Sequence, residues 1–97
     1  MRTDAKRDAN EMGIIKGLRS HGCKVQQVFQ GKGVPDLLVW TPFLMRFVLL
    51  EVKMPKQKLR PEQVAWFAEW DGAHVYKIES LEEAMVTCGI PTPTPSP

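Results

Sequence analysis

The sequence predicts an α/β domain in which helices flank a mixed β-sheet, in the order helix, three strands, helix, strand, helix. Three observations favour this fold class. Apolar residues recur at helical spacing near the N-terminus, three short apolar runs follow, and a proline-initiated helical segment separates the third run from a fourth. Because a strand–helix–strand unit is the standard parallel connection, the third and fourth strands are expected to pair in parallel.

The first helix is predicted over residues 4–21. Ile14, Ile15 and Leu18 share one face, and Gly22 stands where a helix C-cap is expected. Three strands follow, and prolines close the second and third because proline cannot donate to a ladder. Their predicted bounds are residues 24–29, 36–40 and 46–53.

The second helix is predicted to begin at Pro61, where the missing N–H does no harm, and to end near Trp70. The fourth strand is predicted over residues 73–78. Ser80 is a favourable N-cap for a last helix through about Val86, and Glu83 completes a capping-box pattern.

The bulk composition describes one folded domain. The chain has 97 residues, of which 43% are hydrophobic and 25% charged, which argues against disorder. We expect a single domain over residues 1–89 and a disordered, proline-rich tail over residues 90–97. The net charge of +2 barely favours a polyanionic partner, so any affinity for nucleic acid depends on where the basic residues lie.

Cys23 and Cys88 are far apart and lack CxxC spacing, which favours reduced structural thiols over a zinc site. No apolar run is long enough to span a bilayer, and no apolar signal core follows the polar N-terminus. These features predict a cytoplasmic protein without a membrane partner, and nothing in the sequence indicates an organic cofactor.

The chemistry-bearing residues lie at the ends of two predicted strands. Glu51 and Lys53 point to one face by strand alternation, and Val52 between them points into the core. An antiparallel hairpin turning near Pro42 brings Asp36 beside Glu51. Two adjacent carboxylates repel each other and favour a hard divalent cation, Mg²⁺ or Mn²⁺, bound between them. The alternative is an exposed charged pair at a strand end.

Four pieces of the sequence then resemble, in order, the PD-(D/E)XK nuclease superfamily, and within it the compact, virus-type VRR-NUC family. They are Gly33-Val34-Pro35-Asp36, Leu50-Glu51-Val52-Lys53, Leu59-Arg60-Pro61-Glu62-Gln63 and the aromatic residue after them. The resemblance runs from about Glu11 to Glu83. It implies a restriction-endonuclease-like core and Mg²⁺ dependence, with Asp36, Glu51 and the Val52 carbonyl as metal ligands and Lys53 as a catalytic residue.

Matching adds Glu11 and Gln63. The resemblance places an acidic residue of the first helix near the metal, at Glu11, and a glutamine of the second helix pointing at the active site, at Gln63. Glu11 shares a face with Ile15 and Leu18, and a solvated helix-edge glutamate is the equal alternative. The alternative for Gln63 is a surface residue near the N-terminus of the second helix. The sequence departs from the family at Arg60, where Ser or Thr is the common N-cap.

Basic residues flank the carboxylates, in a loop after the third strand and in the glycine turn before Asp36. They are Lys32, Lys56, Lys58 and Arg60. Lys and Arg contacts with phosphate dominate nucleic-acid affinity, so beside a metal site we favour DNA contact over a merely solvated loop.

The leading hypothesis is a metal-dependent endonuclease that hydrolyses DNA phosphodiester bonds with selectivity for branched or junction structures. The alternative is a non-catalytic nucleic-acid-binding module on the same fold. A symmetric junction favours a homodimer with two active sites. The apolar turn between the second and third strands is its predicted interface, formed by Trp40, Phe43, Leu44 and Met45.

Overall fold

The computed structural model of the chain describes residues 10–29 and 31–91. The elements confirm the predicted order and the α/β class, with a four-stranded mixed sheet consistent with a restriction-endonuclease-like core. In chain order they are α1 (Glu11–Ser20), β1 (Lys24–Gln27), β2 (Leu37–Thr41), β3 (Arg46–Val52), α2 (Pro61–Glu69), β4 (Val75–Ile78) and α3 (Leu81–Thr87).

The strands lie in the order β1-β2-β3-β4. The first two pairings are antiparallel, and β3 pairs with β4 in parallel across the α2 connection, as predicted. In the β2–β3 register Leu37 lies opposite Leu50. Because the strands are antiparallel, the residue before Leu37, which is Asp36, lies beside the residue after Leu50, which is Glu51.

The two faces of the sheet differ in what covers them. On β3, the buried residues Val48, Leu50 and Val52 belong to the hydrophobic core, together with residues of α1 and α3. The opposite face carries Phe47, Leu49 and Glu51 at alternate positions, and α2 reaches it at the Glu51 end through Gln63. We call these the helix-covered face and the site face.

The end of α1 follows the predicted signal. Gly22 has a φ of +97°, its N–H donates to the Arg19 carbonyl, and the Cys23 N–H donates to the Leu18 carbonyl. This pair of hydrogen bonds is a Schellman motif, for which glycine is the favoured residue. Of the predicted first helix, residues 4–9 lie outside the described residues.

The C-terminal helix is also capped as predicted, with one change of partner. The Ser80 hydroxyl accepts from the Glu83 N–H at 3.1 Å, but the Glu83 carboxylate accepts from the Glu79 N–H instead of the Ser80 N–H. Ile90, which the sequence assigns to the tail, is 4% exposed and lies in the core. The prediction for residues 92–97 lies outside the described residues.

Cys23 and Cys88 are both free and buried, as the sequence indicates. The pKa of the Cys88 thiol is raised to about 12, chiefly by burial and in smaller part by the neighbouring Cys23. Among residues 10–29 and 31–91, no helix is both long and apolar enough to cross a membrane.

Candidate metal centre

Asp36 and Glu51 meet where β2 begins and β3 ends. The Asp36 Oδ2 accepts a hydrogen bond of 2.9 Å from the Val52 N–H. If β2 extended further, a backbone carbonyl of β2 would accept this hydrogen bond instead of the side chain. The residue before Asp36 is Pro35, which has no N–H, so the ladder offers no donor to the Val52 carbonyl at this point. The sequence thus leaves a backbone carbonyl available beside two carboxylates.

The loop before Asp36 packs directly on the start of α2. Gly33 has a φ of +80°, and a Cβ at this position would collide with the Glu62 backbone carbonyl. Glycine permits both the positive φ and the close approach. The packing fixes Asp36 relative to α2, which also carries Gln63.

Glu51 is 2% exposed, and its two oxygens have different surroundings. Its Oε2 accepts a hydrogen bond of 2.7 Å from the Gln63 Nε2 and lies 3.7 Å from the Lys53 Nζ. Its Oε1 is buried and has no hydrogen-bond partner among the described residues. This burial rules out the alternative of an exposed charged pair, since Lys53 is also only 3% exposed.

The electrostatics of the pair favour a positive ion between the carboxylates. The pKa of Glu51 is raised to about 8, chiefly by burial and next by the negative charge of Asp36, while the positive charge of Lys53 opposes both effects. Two ionised carboxylates cannot donate hydrogen bonds to each other, so they share either a proton or a cation. A divalent cation removes the same repulsion without a proton.

Gln63 couples the start of α2 to Glu51. While its Nε2 donates to Glu51, its Oε1 accepts from the Arg60 N–H at 2.8 Å. The Arg60 side chain makes no cap, since a guanidinium has no acceptor. The Gln63 side chain satisfies the Arg60 N–H, and the Gln63 N–H donates to the Arg60 carbonyl. Gln63 thus contacts Glu51, and its role in an active site stays a prediction.

Lys53 is held through its backbone on both sides. Its N–H donates to the Ile78 carbonyl at 2.9 Å, and its carbonyl accepts from the Asn10 Nδ2 at 3.2 Å. The same Nδ2 donates to the Glu79 carbonyl at 2.9 Å, so Asn10 ties together the ends of β3 and β4. The sequence analysis missed Asn10, because no local pattern indicates a contact with residues so far along the chain.

Glu11 is 3% exposed and accepts a hydrogen bond of 3.2 Å from the Gln27 Nε2. It is therefore not a solvated helix-edge residue. Within residues 10–29 and 31–91, however, no three His, Cys, Asp or Glu side chains are grouped so that they could hold a metal ion. The structure does not join Glu11 to Asp36 and Glu51 in one such cluster, and its role as a ligand stays a prediction.

The basic residues near the site are exposed, as phosphate contact requires. Lys32 lies in the glycine turn, and Lys56, Lys58 and Arg60 lie in the segment between β3 and α2. The Arg60 Nε donates to the Glu62 Oε2 at 3.0 Å in an exposed ion pair. Such pairs contribute little to stability, so Arg60 can exchange this partner for a phosphate at little cost.

The element order and the mixed sheet are consistent with a restriction-endonuclease-like core. The model of the VRR-NUC domain family matches residues 24–77, more than half of the 97 residues, and the chain belongs to this family of PD-(D/E)XK-type nuclease domains. The matched segment contains Asp36, Glu51 and Gln63 and leaves Glu11 outside. Comparison with curated proteins and with solved structures gave no match.

Family membership indicates a nuclease-type function and implies DNA as the substrate. Nuclease domains of this family typically use divalent metal ions. The carboxylates of the buried Glu51 and the half-buried Asp36 are the candidate ligands for such an ion.

Proposed function

We propose that this protein is a Mg²⁺-dependent endonuclease that hydrolyses DNA phosphodiester bonds, and that Mn²⁺ replaces Mg²⁺. The observation that carries the proposal is the buried Glu51 Oε1, which has no hydrogen-bond partner among the described residues and lies in a carboxyl group adjoining Asp36. An uncompensated carboxylate oxygen in such a place costs free energy unless a proton or cation meets it.

The donor set suits a hard cation. Asp36, Glu51 and the Val52 carbonyl would hold it, and all three ligand atoms are oxygens, which Mg²⁺ and Mn²⁺ prefer. When bound, the ion polarises a phosphoryl oxygen and lowers the pKa of a coordinated water. Glu11 enters the proposal as a further acidic residue of the site, and the Glu11→Gln variant tests whether it contributes.

Two residues position the reacting groups. Gln63 donates a hydrogen bond to the Glu51 Oε2, which leaves the Glu51 Oε1 to bind the ion. Lys53 holds its ammonium 3.7 Å from the same Oε2, in a buried place where a positive charge stabilises developing negative charge on phosphate more strongly than in water. Its backbone hydrogen bonds to Ile78 and Asn10 keep the side chain in this place.

DNA binding and structure selectivity follow from the surroundings of the site. Lys32, Lys56, Lys58 and Arg60 supply phosphate contacts, which set affinity without reading sequence. The chain is too small to cover much duplex, which favours branched DNA or junctions as substrates.

A two-fold homodimer supplies two active sites for a symmetric junction. Its interface is the β2–β3 turn, where Phe43 is 42% and Met45 is 72% exposed. Leu44 is turned inward, since a Cβ at Gly89 would lie 2.6 Å from its Cδ2. Trp40 lies on β2, near the strand end that leads into this turn.

The test is cleavage of labelled junction, flap and linear DNAs with Mg²⁺ or Mn²⁺, by the native chain and by Asp36→Ala and Lys53→Met. We expect cleavage by the native chain and a loss of at least about 100-fold in each variant, the scale of removing one preorganised stabilising group. Lys16→Met is the matched control, because it removes an exposed lysine of α1 that has no place in the proposed DNA contacts and leaves the carboxylates intact.

Two results would overturn the proposal. One is the absence of metal-dependent cleavage by the native chain, which with retained DNA binding favours the non-catalytic module. The other is cleavage undiminished in Asp36→Ala, which indicates a contaminating nuclease. Sedimentation of the native chain and of Phe43→Ser with Met45→Ser tests the dimer, which the double variant is expected to dissociate.

A further inference from the structure

The site face carries three cross-strand pairs in a row. The first position holds Asp36 and Glu51, and the next holds Leu38 opposite Leu49. The third holds Trp40 opposite Phe47, whose rings contact edge to face with centroids 5.1 Å apart. We call the last pair the aromatic pair. Four residues along each strand separate the aromatic pair from the carboxylates, and at a rise of about 3.3 Å per residue this distance is about 13 Å.

The aromatic pair forms one wall of an open groove. Phe47 is 57% exposed and Trp40 is half-buried, although both lie within strands of the central sheet. The groove has a volume of ≈ 440 Å³ and is lined by Lys24, Val25, Gln26, Leu38, Trp40 and Phe47. No helix residue among those described contributes to it. The aromatic rings therefore face a space large enough for a planar group.

The charge of the groove selects among possible occupants. Among the described residues that line it, Lys24 is the one ionisable side chain, and Gln26 adds an amide that can donate and accept hydrogen bonds. An aromatic wall with a cation at its edge suits a nucleobase and its phosphate. A second copy of this chain would bring a surface of the same positive sign, without a carboxylate from the groove to pair with Lys24.

We propose that this groove binds unpaired nucleotides of the substrate, whose bases stack on the aromatic pair while the backbone runs along the site face to the carboxylates. The inference rests on the proposed nuclease function and specifies its substrate as DNA with a single-stranded segment next to the cut. Intact duplex keeps its bases inside the helix and out of reach of Phe47.

Binding in the presence of EDTA tests the groove separately from cleavage. The probes are a fluorescein-labelled blunt duplex and the same duplex with a single-stranded tail of about ten nucleotides, compared by anisotropy at one salt concentration. Phe47→Ala should weaken binding of the tailed DNA about tenfold, as expected for the loss of one stacked base, and change the blunt duplex less than twofold. Quenching of tryptophan fluorescence by the tail should be reduced in the variant.

Two controls separate stacking from folding and from assembly. Phe47→Trp keeps an aromatic face and should retain the preference for the tail. Trp70→Ala removes an exposed aromatic residue outside both the groove and the proposed dimer interface, and should leave the preference unchanged. Three results with Phe47→Ala would each overturn the inference. They are equal weakening of binding to both DNAs, no weakening of binding, and a change of sedimentation without a change in the preference for the tail. A chain that prefers the tail through Phe47 but never cuts overturns the nuclease proposal and keeps the groove.

Discussion

The two faces of the β-sheet bury their residues for different reasons. On the helix-covered face, Val48, Leu50 and Val52 are at most 1% exposed and all are apolar. On the site face of the same strand, Phe47 is 57% exposed while the charged Glu51 is 2% exposed. The usual order of burial is thus inverted on the site face, since large aromatic side chains are ordinarily more buried than glutamate.

The inversion shows which face of the sheet stabilises the folded chain and which face contains a residue that lowers its stability. Burial of Leu50 removes apolar surface from water and favours folding. Burial of Glu51 beside Asp36 opposes folding until a proton or a cation is supplied, as its raised pKa indicates. Truncation of Leu50 and neutralisation of Glu51 should therefore have opposite effects on the free energy of unfolding.

The largest effect is expected on the helix-covered face. Leu50→Ala removes a fully buried side chain and leaves a cavity, and should lower the free energy of unfolding by about 2–5 kcal/mol. Urea denaturation followed by circular dichroism measures the change. A loss below about 1 kcal/mol would mean that the helix-covered face is not the main source of stability.

The next effect has the opposite sign. The pKa of Glu51 is about 8 in the folded chain against an ordinary value of 4.5, so its contribution to stability is complete below about pH 4.5 and is lost as the pH rises to about 8. Glu51→Gln cannot ionise and should stabilise the metal-free chain by about 1–3 kcal/mol at pH 8, with little effect at pH 4.

Thermal unfolding of both proteins in EDTA across this pH range measures that difference. The attraction of Lys53 for Glu51 acts against the expected gain, but burial and Asp36 act more strongly on the pKa. A variant less stable than the native chain at pH 8 would show that the ion pair with Lys53 dominates instead.

Gln63 sharpens the comparison because it is the polar residue through which α2 contacts the site face. Gln63→Ala removes the donor to Glu51 and the acceptor for the Arg60 N–H, and should weaken Mn²⁺ binding about 10–100-fold, the usual effect of losing a group that orients a ligand. Isothermal titration with the metal alone provides the measurement.

Gln57→Ala is the matched control, since Gln57 also accepts one backbone hydrogen bond, from the Met54 N–H, but does so in an exposed loop. Equal Mn²⁺ affinity in the two variants would remove Gln63 from the metal centre and leave it a helix-capping role.

The smallest effect is expected at the open end of the site face. Phe47→Ala loses an edge contact with Trp40 at a largely exposed position and should cost about 0.5–1.5 kcal/mol. Urea denaturation under the conditions used for Leu50→Ala gives the comparison directly. A cost as large as that of Leu50→Ala would place Phe47 in a buried interface of the protein in solution.

Local sequence determined the elements and most of their ends. Helical spacing placed Ile14, Ile15 and Leu18 in the core, and Gly22 marked the end of α1. Strand alternation placed Glu51 and Lys53 on one face, because the period of a strand is two in any surroundings. These features depend on neighbours within a few residues, so a single sequence contains them.

Tertiary structure alone decided how the charged residues are buried. Glu51 is covered by Gln63 from α2, and the backbone of Lys53 is held by Asn10, at a sequence separation of 43 residues. The tertiary structure also buried Glu11 without grouping it with Asp36 and Glu51, a distinction that helical periodicity does not contain. Periodicity specifies the direction of a side chain, whereas desolvation and pKa depend on every chain segment that packs around it.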